Sequence, residues 1–484
     1  MGRYSVPESI RRQKPKGTMV KNISGYYYVY EYKSVKGDNG ERRTQMGKLI
    51  GSIKPGIGFV PNSSFLCDSE ISTLEFGEYA VTLANSQKTL ALLRGCFNPE
   101  DALSIYVVSM IHFIQGFTYM KDIQSYYDMS YLSIKYPSLK LGNESLSSLY
   151  DSLGRRQGSV IKMEENLVAA SSGQVAIDGH VIGCVSDEND LAAKGYKFRK
   201  IGEPQINLLM AYDINTGTPL LSRIYEGASI DKVSVKDLMH QVEFRNILFV
   251  VDRGFYSVEN LKLFSSNGNS YIIPLGKNIT ACKKAVSSLE MTGRFMYQQG
   301  RKASVVEYKD EIIDGNRVIT YKDLNESAAE QANYLRHMEM GDKAYTQEGF
   351  DKFKDFMGVT ILQTSIKDKT PQEIYEIYKK RWTIETYYNY FKNKADYGSL
   401  YQQDYYKTQG LAFIMLVSSL IRKEFEDVVK AVKGKSAHDC LLDARMVKAD
   451  KRRGVWAVCN CRKKQVELFK SLNTKLVVEI EQHT

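Results

Sequence analysis

The chain has 484 residues, 43% hydrophobic and 25% charged, ordinary globular values that exclude wholesale disorder. At about 150 residues per domain the length suggests roughly three domains, with core enough to fold without disulfides or a structural metal. The formal charge of +10 is unevenly spread: residues 1–54 hold twelve basic and four acidic side chains and residues 448–475 nine and two, leaving the middle net negative. Clustered Lys and Arg displace counterions from phosphate, so two basic ends point to a polyanionic partner, although solvated tails would carry the same charge. The longest apolar stretch, Gly410 to Ile421, is too short to span a bilayer, and no apolar segment follows the charges of the N-terminus. Seven scattered cysteines fit reduced thiols. The expectation is a cytoplasmic, nucleoid-associated protein with no membrane partner.

In chain order, residues 1–71 read as a basic β-rich module. Tyr26 to Val35 forms one strand, Gly37-Asp38-Asn39-Gly40 a turn, and Arg43 to Ile53 the return. Tyr26, Tyr28, Tyr30 and Tyr32 alternate and so share a face. That face is read as an aromatic core surface, with a stacking platform for bases as the alternative. Residues 72–162 turn helical. Ala102 to Phe117 is a core helix with His112 as a packed residue, and Asn143 to Leu153 is an amphipathic helix running into Arg155 and Arg156. The latter could be a recognition helix reading DNA ends, or simply core-packed.

From residue 173 to 276 the pattern is α/β. Gln174 to Asp178 is a short apolar strand ending on an acid, and Ile214-Asn215-Thr216-Gly217 joins two strands as a hairpin. Asp231 to Val242 is helical, with Asp231 read as an N-cap. Ile247 to Val251 is a strand buried on both faces, again ending on an acid, Asp252. A helix from Ser257 and the strand Tyr271-Ile272-Ile273 follow. Residues 277–354 break the rhythm as a β-rich insertion, and residues 355–432 resume it with the strand Gly358 to Thr364 and two helices, Pro371 to about Lys394 and Gln409 to Lys430. Residues 433–484 form a basic C-terminal region, in which Cys459 and Cys461 lack the spacing of a zinc knuckle. Glycine-rich phosphate loops are absent, so no nucleotide cofactor is expected.

Ligands gather beyond strand ends in such a sheet, so Asp178 and Asp252 could converge. Two close carboxylates repel unless one is protonated or a hard cation lies between them, and Mg²⁺ (or Mn²⁺) prefers oxygen donors. A third ligand would come from the helix after Pro371. At 100° per residue Tyr378, Arg381, Glu385 and Lys392 fall within an arc of about 60°, placing a carboxylate among phosphate-binding groups. An incidental Arg381–Glu385 pair on a solvated helix is the plainer alternative.

The spacing Tyr378-x2-Arg381-x3-Glu385-x6-Lys392 resembles the Tyr-Arg-Glu-Lys motif of bacterial insertion-sequence transposases with an Asp-Asp-Glu ribonuclease-H-like core. Asp252-Arg253-Gly254-Phe255 and Val175-Ala176-Ile177-Asp178-Gly179 resemble the segments around that family's second and first aspartates. Gly217-x-Pro219-Leu220 and Gly227-x3-Asp231 are similar to its middle segment. The resemblance covers about residues 173–432, and His180 departs from it where a small hydroxyl residue is expected. The 133 positions between Asp252 and Glu385 fit the subgroup with a β-rich insertion, in which the insertion helps manage the cut end and the flanking strand is often cleaved through a hairpin.

The resemblance implies a ribonuclease-H-like mixed sheet with that insertion, and cut-and-paste DNA transposition. Asp178, Asp252 and Glu385 would be catalytic and hold two metal ions, and Tyr378, Arg381, Lys392 and Arg253 would bind DNA phosphates. The implied partners are double-stranded DNA, as terminal inverted repeats and as target, and a second copy of the chain in the synaptic complex. A cleavage-only nuclease on the same core, a non-catalytic DNA-binding derivative and a glycosidase using paired carboxylates are the competing readings.

Overall fold

In the computed structural model the described residues are 6–36, 41–62, 73–116, 118–155, 157–184, 191–194, 204–227, 231–287, 290–382, 399–400, 404–452 and 455–479. They form two bodies, Met1–Thr73 and Leu74–Thr484.

The first body is an antiparallel meander of β1 (Thr18–Ile23), β2 (Tyr26–Lys36), β3 (Arg42–Lys54) and β4 (Gly58–Pro61). Ser24 and Gly25 turn β1 into β2 with φ of 53° and 87°, the left-handed geometry that matches strand twist in a two-residue hairpin. β2 and β3 pair from Lys36↔Arg42 to Tyr27↔Ile53, as the sequence predicts, while the Gly37–Gly40 turn lies outside the described residues.

The aromatic-core expectation for the tyrosine stripe is overturned. The core is Val29, Ile50 and Ile53 with Ile10 laid over them, and it takes the opposite face of β2. Tyr26 is 68% exposed, Tyr32 40%, and Tyr28 and Tyr30 are half-buried. Alternation shows that the four tyrosines share a face; the Ile10 segment decides which face is covered.

The second body is organised on one large mixed sheet. Its strands are β6 (Gln174–Cys184), β7 (Ala193–Lys194), β8 (Pro204–Asp213), β9 (Thr218–Glu226), β10 (Leu248–Val251), β11 (Ser270–Pro274), β12 (Gly293–Gln299), β13 (Lys302–Ile313), β14 (Asn316–Asp323), β15 (Val359–Thr364) and β16 (Ser399–Leu400). Their order is β12-β13-β14-β15-β11-β10-β6-β8-β7, with β9 on β8 and β16 on β6. β10 runs parallel to both β6 and β11 at the centre. This large mixed sheet with helices packed on it is the α/β layer expected from the sequence.

Three differences from the sequence reading stand out. β6 does not stop at Asp178 but runs on to Cys184, because β8 keeps pairing with it as far as Gly183. The strands of the 277–354 segment extend the main sheet through β14 and β15, whose second edge would otherwise be unpaired. The basic C-terminal region is folded rather than a tail. β17 (Lys448–Arg452) and β18 (Val455–Cys459) form a sheet with β5 (Thr73–Glu75), and Leu468, Phe469 and Leu472 are buried.

The Tyr405–Val429 helix is the hub of the body. Gln409 donates to the Ile224 carbonyl of β9 at 2.6 Å and Ser222 to the Ala412 carbonyl at 3.0 Å, while on the other side Ser109 of the Pro99–Gln115 helix donates to the Ile414 carbonyl at 3.1 Å. The Asn143–Arg155 helix crosses it at two glycines. A Cβ on Gly154 would lie 2.0 Å from the Tyr406 carbonyl oxygen, and one on Gly410 2.0 Å from that of Tyr150. That helix is thus core-packed along Leu146, Tyr150 and Leu153, and Arg155 bonds Asp151 at 2.8 Å and lies 4.0 Å over the Tyr406 ring. Arg156 lies outside the described residues. Among the described residues no single helix is long and apolar enough to cross a membrane.

Candidate active site at the ends of the central strands

Parallel pairing sets the centre of the site. β6 and β10 are in register from Gln174↔Leu248 to Ile177↔Val251, so the next step along each strand brings Asp178 beside Asp252, about 4.8 Å being the usual spacing between paired strands. Side chains alternate along both strands. Ile177 and Val251 enter the core shared with Leu238, Phe255 and Phe264, whereas Ala176 and Val250 enter the one shared with Ile374, Tyr375 and Ile377. Asp178 and Asp252 have the parity of Ala176 and Val250, and so face the helix Pro371–Lys380. Both aspartates are half-buried; Asp178 Oδ1 accepts from the Gly179 N–H at 2.9 Å, and Asp252 Oδ1 from the Arg253 N–H at 2.8 Å.

The Pro371–Lys380 helix is held at both ends. Thr370 and Glu373 form a reciprocal capping box around Pro371, and the Lys379 ammonium bonds Glu326 at 2.6 Å. In the middle the buried Tyr375 hydroxyl donates to Asp323 Oδ2 at 3.0 Å. Burial pushes the Asp323 carboxyl up, but donors from Ser304, the Glu326 N–H, Tyr375 and the Asn325 N–H outweigh it and hold the group below the usual carboxylate range. One carboxylate thus ties the helix face to β13 and to the cap of the Leu324–Glu339 helix.

Tyr378, on the next turn, is kept protonated mainly by burial. Arg381 acts against that shift and the negative charge of Asp252 adds to it, which places all three groups within electrostatic reach. The Arg381 guanidinium lies 5.8 Å from the centre of the Tyr378 ring.

Of the helix expected to about Lys394, the described residues hold Pro371–Lys380 and a tightened turn at Arg381 and Trp382; the part beyond Trp382 lies outside the described residues. The Arg381 and Trp382 N–H groups bond the Tyr378 and Lys379 carbonyls at 3.1 and 3.3 Å, the three-residue spacing of a tightened last turn. Glu385 and Lys392 lie outside the described residues, so the site as described holds two of the three predicted carboxylates. Among the described residues no group of three or more His, Cys, Asp or Glu is placed to hold a metal ion. The two neighbouring aspartates are hard oxygen donors, the chemistry a divalent Mg²⁺ or Mn²⁺ ion takes.

Arg253 is exposed. It lines a depression with Lys232, Tyr256, Gly276, Lys277, Asn278 and Ile279. His180 stands on β6 at the parity of Asp178, opposite Leu208 of β8. The sequence reading missed Asp323, Lys232 and Lys277. Lys277 stands on the turn that follows β11, three residues past Pro274, where a strand-end rule extended by one turn could have found it; nothing local marks the other two.

Residues 170–420 match the family described as "Transposase DDE domain", a span of more than half the chain. The chain belongs to that family. It is accordingly an enzyme of DNA transposition, built on the mixed sheet described above. No curated protein sequence matches it. A solved structure described as "piggyBac transposase synaptic complex with hairpin DNA" shares 10% identity over 76% of this chain and 77% of that one, with a TM-score of 0.39, a likeness too slight to bear on the transposase's site.

Proposed function

We propose that this transposase cuts DNA at the terminal inverted repeats of an insertion sequence and joins the freed 3′-hydroxyl ends to target DNA, with Asp178, Asp252 and Glu385 as its catalytic carboxylates. The observation that carries this reading is the register of β6 and β10, which sets Asp178 beside Asp252 on the face turned to Tyr378 and Arg381. The three carboxylates would hold two divalent ions, Mg²⁺ or Mn²⁺, which when bound make water nucleophilic at neutral pH and neutralise charge on the leaving oxygen.

The chain's own groups do the positioning. Asp178 is fixed within a continuous strand and Asp252 at the end of a buried one, so neither has to be ordered when DNA arrives. Arg381 and Lys392 grip phosphates beside the scissile bond. Tyr378, held neutral by burial, packs on the Arg381 guanidinium and limits its rotamers without adding a competing negative charge. Water attacks the scissile phosphorus and the 3′-oxygen leaves; in the second step that 3′-hydroxyl attacks a target phosphorus and the target 3′-oxygen leaves. Two copies of the chain, one on each DNA end, would be needed for synapsis.

The test is strand cleavage of DNA carrying the element's ends, with Mg²⁺ or with EDTA, by wild type and Glu385→Gln. Metal-dependent cuts that vanish in the variant are expected. Cutting that survives in Glu385→Gln would show that another group is the third carboxylate.

A further inference from the structure

A second cluster of cations borders Asp252 beyond the ends of β10 and β11. Lys232 from the Asp231–Gln241 helix, Arg253 after β10 and Lys277 after β11 line a depression of about 430 Å³ together with Tyr256 and the Gly276–Ile279 turn. All three cations are exposed, and among the described residues no carboxylate lines the depression or pairs with any of them. Lys277 instead lies 5.9 Å from the ring centre of Phe353. Three uncompensated cations repel one another, and in a chain dense with ion pairs such an arrangement is stable only while water screens it or an anion sits among them. It opens beyond the carboxyl ends of two adjacent parallel strands, where ligands of α/β sheets gather. A Cβ on Gly276 would meet nothing within 4 Å, so the rim admits an extended ligand.

We propose that this depression binds a backbone phosphodiester adjacent to the scissile one on the same DNA strand, on the β11 side of Asp252. The inference rests on the transposase reading of the Asp178–Asp252 site and adds a direction to it. Arg253 follows Asp252 directly in sequence, so a strand whose scissile phosphate lies at the aspartates has its next phosphates either at Arg381 or here. The strand therefore runs across the end of β10 with cations on both sides of the cut. Arg253 and Lys277 come from two neighbouring strand ends and Lys232 from the helix behind them, so the site reads backbone charge and not base sequence. The same chemistry would also admit free inorganic phosphate, and the experiment separates the two.

The test is the salt dependence of binding to a mixed-sequence duplex, for wild type, Lys232→Ala/Lys277→Ala and the control Lys262→Ala on the neighbouring helix. Loss of one phosphate contact flattens the plot of log affinity against log salt by about 0.9. The double variant should show that change, with slower end cleavage in Mg²⁺ and an unaltered melting temperature; Lys262→Ala should match wild type. An unchanged slope in the double variant overturns the proposal, as does a variant that loses only inorganic phosphate binding, followed by NMR, at wild-type DNA slope. Wild type that binds DNA yet never cuts it would sink the nuclease assignment and leave the slope comparison standing, so the two failures are distinguishable.

Discussion

Replacing Gly410 by alanine should destabilise the second body even though alanine is the better helix former. The new Cβ would lie 2.0 Å from the Tyr150 carbonyl oxygen, with the Tyr150 carbonyl carbon and Cα at 2.7 and 2.8 Å. All three neighbours are backbone, so no side chain can swing away. The Tyr405–Val429 and Asn143–Arg155 helices must part by more than an ångström, loosening Leu146, Tyr150 and Leu411 on both sides of the crossing. Overpacking of this kind costs about 1–3 kcal/mol, occasionally more, and the gain in helix propensity returns about 0.5–1 kcal/mol. The net loss is about 1–2 kcal/mol, or a fall of roughly 1–2 °C in Tm for a body running from Leu74 to Thr484, at about 2.1 cal/mol/K of unfolding entropy per residue. Gly95, in the Gln87–Cys96 helix, is the matched control, since its added Cβ would meet nothing within 4 Å. Gly95→Ala should leave Tm unchanged or raise it slightly. Helical circular dichroism followed on heating at one scan rate measures both. If Gly410→Ala melts at or above wild type, or the two variants shift together, the crossing is not as tight as described and the reasoning fails.

Two further predictions concern buried charge. Glu164, fully buried, grips the Arg223 guanidinium with two bonds of 2.5 Å between the Gln157–Ala169 helix and β9, so Glu164→Gln should cost about 3–5 kcal/mol by leaving a buried cation uncompensated. Replacing both partners by Met should recover most of that Tm, and a single variant melting within a degree of wild type would contradict the account. His112 is fully buried, and burial lowers its pKa from 6.5 to about 4. Between those values the unfolded chain takes up a proton that the folded one refuses, so stability present above pH 6.5 drains away as the pH falls towards 4, by up to about 3 kcal/mol. His112→Leu should therefore flatten the acid limb of Tm against pH; an equally steep limb would assign the loss to other groups.

Much of the second body was legible because its signals are local. The hairpin of β8 and β9 follows from a Gly at φ 77° between two apolar runs, and β10 from consecutive apolar residues ending on Asp252. The spacing of Tyr378 and Arg381 names residues of one face and says nothing of what that face meets.

What the sequence determined by itself is this set of short-range facts: where strands and most helices start, which residues alternate together, and which acids follow apolar runs. Everything that depends on a partner far along the chain waited for the tertiary structure. Asp178 neighbours Asp252 only through the register of strands some seventy residues apart, and β6 outruns Asp178 only because β8 continues to pair with it. The tyrosines of β2 face outwards because Ile10 covers the other side. The C-terminal basic runs fit a solvated tail as well as a folded region by charge alone, yet Phe469 stacks on Phe76 and Lys448 pairs with Glu75, contacts spanning more than 370 residues. Periodicity states which side chains go together; only the burial of one face against something else decides which way they go.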